Sequence, residues 1–446
     1  MSLHVAIVGS GPAGFYAADA LLKSDDPRVE VDVLDRLPTP WGLVRLGVAP
    51  DHENIKAVSR AFEKTAARPG FRFFGNVEVG STVTHEELLE LYDAVVYTVG
   101  AQTDRRLGIP GEDLPGSWAA TEFVAWYNGH PDFQDRTFAL DHERAVVIGN
   151  GNVAIDVARM LALTAEELAP TDTTDDAIDA IVRAGIREIV MLGRRGPVQA
   201  AFTPPELKEL GELAGADVVV DPHDLELDPA SLRELEADRE RARRNVDLLE
   251  EFAGREASGK ERRIVLRFLV SPVAILGDGK VEGVEIVRNE LVEEDGRLVA
   301  RPTGETETLE CGLVFRSVGY RGVPLAGVPF DERSGTIPND RGRVLGTERT
   351  YAAGWIKRGP SGVIGTNKKD AAETVEQLLE DARAGKLAAA ARRDLAELLV
   401  EKDAVFVEYD GWQAIDTAER AAGEPRGRPR VKLTAWERLL GVGRRS

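Results

Sequence analysis

Short apolar runs alternate with amphipathic stretches along most of the chain, the rhythm of strand, helix, strand. Val5-Ala6-Ile7-Val8 runs straight into Gly9 and reads as a buried strand, since residues covered on both faces need not alternate. An Ala/Leu-rich helix follows through Leu22, then a second strand at Val29–Leu34. From Leu37 to His52 the rhythm fails. Prolines and glycines predict a loop there, yet Trp41, Leu43, Val44, Leu46 and Val48 make it apolar, as suits a loop covering something flat and apolar. The next helix takes Asp51 as its cap and places Ile55, Val58 and Phe62 on one face. Strands near Phe73 and at Val77–Val79, a helix from about His85 and a strand at Ala94–Ala101 complete this part.

Gly and Pro punctuate Arg105–Gly116, which reads as a crossing between domains. Beyond it a strand at Ala145–Ile148 meets Gly149-Asn150-Gly151 and a helix through Leu161. A polar insert, Thr164–Arg183, delays the next strand to Ile189–Leu192. Phe202–Leu207 opens another helix, and a charged, mostly helical segment covers Leu225–Arg263. Val- and Ile-rich strands run to about Val318. A strand near Tyr351–Gly354, a helix from about Lys368 to Arg383, an Ala-rich helix and an Arg-containing tail end the chain.

The two strand–glycine–helix units carry chemistry. In Gly9-x-Gly11-x-x-Gly14 the first glycine permits the tight turn, the second lets backbone approach a pyrophosphate, and the third lets helix and strand pack closely. The helix N-terminus then offers N–H groups and partial positive charge to phosphate. Asp35 ends the second strand, where a carboxylate accepts from ribose hydroxyls and disfavours a 2′-phosphate. This first site suits FAD or NAD(H). The second unit, Gly149-x-Gly151-x-x-Ala154, has no acid at the equivalent place; its strand ends Gly193-Arg194-Arg195. Paired guanidiniums suit the 2′-phosphate of NADP(H). Asn150, Asn152 and Val153 should lie against the pyrophosphate.

Composition narrows the classes. At 446 residues and 43% hydrophobic, the chain has enough core for two or three domains. Its 56 basic and 76 acidic residues give a net charge of −20, which argues against nucleic acid as a partner. One cysteine, Cys311, excludes an intramolecular disulfide, a redox Cys pair and a cysteine-rich metal site. The first strand begins within a few residues of Met1 and no run of 18 apolar residues occurs, so no membrane span and a cytoplasmic setting are expected.

Four stretches together resemble the adrenodoxin-reductase-like ferredoxin–NADP⁺ reductases. They are Gly9–Gly14; Trp41-Gly42-Leu43-Val44-Arg45 with Gly47–His52; Gly149–Val153 with Gly193–Pro197; and Gly354–Pro360 with Gly362–Asp370. The resemblance implies an α/β chain with two Rossmann-like dinucleotide-binding domains in a glutathione-reductase-like layout. An NADP domain (105–324) is then inserted in an FAD domain (1–104 and 325–446). It assigns to FAD Gly9, Gly11, Pro12, Ala13, Gly14, Asp35, Leu43, Val79, Trp355, Gly362, Val363 and Ile364. To NADP it assigns Arg106, Asn150, Gly151, Asn152, Val153, Arg194, Arg195, Glu206 and Gly362. His52 and Glu206 become a candidate proton-relay or nicotinamide-positioning pair, although hydride transfer itself needs no general acid. In related flavoproteins a Gly-Asp pair stands where this chain has Gly354-Trp355.

The implied activity is electron transfer between NADPH and a ferredoxin-type iron–sulfur protein. The alternatives are an NADPH-oxidising flavin subunit of a larger complex and a non-catalytic nucleotide-sensing module. Ferredoxins are acidic, so docking on a chain of this charge needs a local basic surface. Arg239 and Arg243, which share a helix face, are the candidates, although Arg233–Arg263 holds nine basic and nine acidic residues.

Overall fold

The computed structural model describes residues 2–237, 240–256, 258–387 and 393–444. They form two compact units: Met1–Thr103, Asn128–Gln134 and Gly319–Ser446 make the first, and Asp104–Tyr127 with Asp135–Val318 the second. The second unit is therefore an insertion in the chain of the first.

The first unit is a Rossmann-like layer. Its sheet runs, in spatial order, Asn339–Asp340, Arg343–Val344, Thr350–Ala352, Ala94–Tyr97, Leu3–Val8, Val29–Asp35 and Phe71–Gly75. The last five are parallel. Val5, Ala6 and Ile7 are wholly buried, as a central parallel strand requires. The helix Pro12–Leu22 packs on Thr366–Arg383, so a core of Val5, Phe15, Tyr351, Leu378 and Trp412 joins both ends of the chain. The stretch Asn128–Gln134 is tied to this unit by the Asn128 amide oxygen, which accepts from Lys432, and by Asp132, which accepts from the Trp436 indole. Thr84 and Glu87 form a reciprocal cap that starts the helix His85–Leu91.

The second unit repeats the plan. Six parallel strands stand in the order Ser117–Ala119, Leu313–Arg316, Arg144–Ile148, Glu188–Leu192, Arg262–Arg267 and Ala216–Val220. An antiparallel sheet of Val270–Leu276, Gly283–Glu294 and Arg297–Glu310 follows. The polar insert holds two helices, Ala165–Leu168 and Asp175–Val182.

Several expectations need correction. Leu37–His52 includes a helical turn at Leu43–Leu46. The expected helix from Asp51 splits into Glu53–Lys56 and Ser59–Ala66, capped at His52 and Val58. Phe62 stacks on Phe15 at 4.9 Å and Val58 packs on the same core, while Ile55 stays 40% exposed, so two of the three expected face residues find the core. Val77–Val79 forms no strand: Val79 makes an isolated bridge to Val83, and Gly75, at the end of the outermost strand, pairs with Val407 instead. The strand after His85 stops at Tyr97. The charged segment holds separate helices at Pro229–Ala237 and Arg241–Ala253, with Arg239 outside the described residues. The C-terminal tail is structured, with helices at Tyr409–Gly423 and Trp436–Gly443. The Ala-rich helix falls partly on 388–392, outside the described residues.

Candidate functional site

In the first unit Gly9 adopts φ +106°, and a Cβ on it would meet the Thr98 carbonyl oxygen at 2.7 Å. A Cβ on Gly14 would lie 2.1 Å from the Gly9 carbonyl oxygen, so helix and turn touch as closely as backbone allows. At Gly11 the surroundings are different: nothing described lies within 4 Å of a Cβ built there. Gly11 is the N-cap of Pro12–Leu22, and no side chain caps this helix. Pro12 at the first position has no N–H to satisfy. The first-turn N–H groups that follow, at Ala13 and Gly14, have no acceptor within the helix, and a charged acceptor on each contributes about 1.5–3 kcal/mol. A diphosphate fits this cradle.

Asp35 lies beside the turn. Its carboxylate accepts from the Ser10 and Leu37 backbone N–H groups, each at 2.9 Å, and from the Ser10 hydroxyl. Burial raises its pKa above the ordinary carboxylate value, against those hydrogen bonds. The acid is therefore held rigidly at the strand end.

Two further segments meet the same turn. The Trp41 N–H donates to the Ser10 carbonyl at 2.9 Å, and a Cβ on Gly42 would touch the Gly11 Cα at 3.0 Å, which seats Leu43 beside the turn. From the other end of the chain, a Cβ on Gly354 would meet the Ala13 Cβ at 2.6 Å, and Trp355 begins the helical turn Trp355–Arg358 there. The indole N–H groups of Trp41 and Trp355 are buried with no hydrogen-bond partner among the described residues. Unmatched buried donors are rare and costly, so an acceptor-rich ligand at these segments is the simplest complement. FAD fits on both counts: a phosphate cradle and apolar segments with donors to spare.

Other residues assigned to FAD are placed less tellingly. Val79 is buried in its bridge to Val83. Gly362 has φ +79°, Val363 is 62% exposed, and Ile364 packs on the first unit's core. The helix beyond them starts at Thr366, whose hydroxyl accepts from the Val363 N–H.

The second unit repeats the cradle. Gly149 has φ +138° with its would-be Cβ 2.1 Å from the Ser317 carbonyl oxygen, while Gly151 again faces open space and caps an otherwise uncapped helix, Asn152–Ala162. Its amides are put to use: Asn152 Oδ1 accepts from the Thr203 N–H at 2.8 Å, and the Asn150 carbonyl accepts from Ala201 and Phe202. Val153 is half-buried in the helix's first turn. Glu206, buried, sits in the first turn of Pro204–Leu210, behind Thr203. His52 is buried at the N-cap of Glu53–Lys56 in the first unit.

At the end of the second unit's Glu188–Leu192 strand, Arg194 is exposed and Arg195 half-buried. Burial, then the charge of Arg194 and less so that of Arg241, lower the pKa of Arg195, while the Glu234 carboxylate opposes them. Arg195 thus feels two like charges, offset in part by the Glu234 carboxylate, and an anion bound there would relieve it. Sequence reasoning assigned Arg241 no part in this cluster; it starts Arg241–Ala253, and its guanidinium donates to the Ala200 carbonyl at 2.9 Å. Its only signal was its place in a charged run. Arg106 is not part of the group: its exposed side chain pairs with Asp113 at 2.5 Å and Glu112 at 3.6 Å. Arg243 pairs with Asp247 of its own helix at 2.9 Å.

Among the described residues, no helix is long and apolar enough to cross a membrane. Cys311 is a free, buried thiol pushed up to about 12 by burial.

Known proteins extend this picture. Residues 3–191 match the pyridine nucleotide-disulphide oxidoreductase family. An NADPH-ferredoxin reductase FprA from Mycobacterium leprae is 54% identical over 449 residues, covering 99% of this chain and 98% of the relative. A mitochondrial NADPH:adrenodoxin oxidoreductase from Arabidopsis thaliana is 42% identical, covering 99% and 95%. A solved structure of Mycobacterium tuberculosis FprA in complex with NADPH superposes with a TM-score of 0.95 at 52% identity, covering 99% of this chain and all of that one. Similarity of this extent, with both glycine turns in place, makes the chain a member of the adrenodoxin-reductase-like ferredoxin–NADP⁺ reductase family.

Proposed function

We propose that this protein is an FAD-dependent oxidoreductase moving electrons between NADPH and a ferredoxin-type iron–sulfur protein. The observation that carries the reading is the pair of open, uncapped helix N-termini, one beside Asp35 and the other beside Arg194 and Arg195. Bound FAD supplies the exchange between a hydride and single electrons, which neither partner manages alone.

The chain's own residues bind and orient. The N–H groups after Pro12 hold the FAD diphosphate, and Asp35 takes the ribose of its adenine end. Trp41–Leu43 and Gly354–Trp355 shield the ring system from water and donate to it. Val79 and Gly362–Ile364 complete the FAD set. In the second unit Gly151–Val153 hold the NADP(H) diphosphate, with Asn150 bracing the turn. Arg194 and Arg195, joined by Arg241, take the 2′-phosphate, since guanidinium binds phosphate through a fixed fork of donors. Arg106, Glu206 and Gly362 contribute to the NADP(H) set. His52 and Glu206 orient the nicotinamide. The ferredoxin docks near Arg239 and Arg243, and the compartment is the cytoplasm.

The deciding experiment is titration of the purified protein with NADPH and, separately, NADH. A yellow protein bleached by NADPH at far lower concentration than NADH supports the reading. A colourless preparation that binds no added FAD, or one reduced equally by both, overturns it.

A further inference from the structure

The apolar turn over the first glycine motif is strained, and the end of the chain holds it from behind. Trp41 has φ +84° and Gly42 φ +52°. A bulky residue in that region persists only where its surroundings over-determine it. In front, the turn is fixed by the Trp41 N–H on Ser10 and by Gly42 against Gly11. Behind it stands the C-terminal helix Tyr409–Gly423. Trp412 meets Trp41 edge-on, ring centroids 4.9 Å apart, and the Arg45 guanidinium lies 5.1 Å from the Trp412 ring.

Glu419 is the hub. It is wholly buried and accepts from both Arg45 terminal nitrogens, at 2.8 and 2.5 Å, while the Arg45 side chain is only 3% exposed. It also accepts from the Leu433 N–H at 2.8 Å and from Arg430 at 3.2 Å, and the Lys432 ammonium donates to the Arg45 carbonyl at 3.1 Å. A buried pair of this kind is weak evidence for stability, because apolar residues of similar volume often serve as well. What the fork-on-carboxylate geometry supplies is direction. Arg45 in turn carries that direction forward, its N–H bonded to the Gly42 carbonyl at 3.1 Å.

We infer that Glu419 and Trp412 are positioning residues of the FAD site, setting the Trp41–Leu46 turn from more than 360 residues away in the chain. This rests on the reading of the first unit as the FAD domain.

The test compares holoenzyme variants by the visible circular dichroism of bound flavin and by the rate of FAD release. Glu419→Gln should release FAD about tenfold faster, equivalent to about 1.4 kcal/mol, and change the flavin dichroism. Glu419→Asp should recover part of both, and Trp412→Phe should fall between. Asp381→Asn is the control: this acid also grips an arginine through two bonds, Arg343 at 2.8 and 2.6 Å, in the same unit but away from the turn. It should lower Tm and leave both flavin readouts at wild-type values. Wild-type dichroism and release in Glu419→Gln and Trp412→Phe would overturn the inference, as would equal flavin effects in Asp381→Asn. Wild-type protein without flavin would instead overturn the FAD reading beneath it.

Discussion

The two glycine turns are built on one backbone plan and differ at the end of the next strand. In the first, Asp35 is gripped by Ser10 and Leu37, a fixed acid beside the cradle. In the second, no acid ends the strand, and Arg195 feels the charges of Arg194 and Arg241, offset only in part by Glu234. On the proposed reading, backbone geometry makes a diphosphate site, and the strand's last side chains choose which dinucleotide it holds. The same fold discriminates between ligands by the sign of a few charges.

That comparison can be broken first at the glycines. Gly14→Ala forces a methyl into the Gly9 carbonyl, so it should abolish flavin retention and lower the yield of folded protein. Gly11→Ala meets no protein atom, so it should fold normally and lose flavin only; Tm without cofactor and flavin-to-protein absorbance separate the two. If Gly11→Ala kept its flavin, the cradle lies elsewhere. A smaller effect comes from the arginines. Losing bonds from charged donors, about 1.5–3 kcal/mol, Arg195→Ala should raise the KM for NADPH about 10- to 100-fold with that for NADH little changed. An equal rise for both would make the cluster structural.

His52→Gln sharpens the comparison from the first unit's side. It should slow flavin reduction by NADPH about tenfold in stopped-flow experiments, a loss of orientation, while the Kd for NADP⁺ changes little. Unchanged reduction would remove His52 from the site. Least affected should be Arg243→Glu, because Asp247 already offsets that charge. Ferredoxin-dependent cytochrome c reduction should fall by no more than about threefold at low salt, and the loss should vanish as salt rises.

Much of this could be read from the sequence because it is local. The strand, turn and helix around Gly9 and Gly149 and the acid at Asp35 lie within short windows where spacing alone carries the geometry, and the arginines at 194 and 195 are marked by their place at the next strand's end. The helix from Asp51 is where the sequence misleads, because periodicity counts apolar residues without knowing which find a partner: Phe62 has Phe15, whereas Ile55 stays exposed. Val77–Val79 is apolar enough for a strand, but a strand needs an edge, and at Gly75 that edge is taken by Val407. Arg241 is marked only by its place in a charged run and Glu419 by nothing local, since each acquires its role through a contact made across a long stretch of chain.

The split core of the first unit sets an order on synthesis. Val5 and Phe15 leave the ribosome early, but Tyr351, Leu378 and Trp412, which close the same core, are translated last. Until then Arg45 lacks Glu419, and the strand Ala94–Tyr97 lacks its neighbour Thr350–Ala352. The inserted unit is contiguous apart from Asn128–Gln134, so it can fold while its host waits. A chain truncated after residue 320 should therefore hold a protease-resistant second unit and a first unit still open to cleavage.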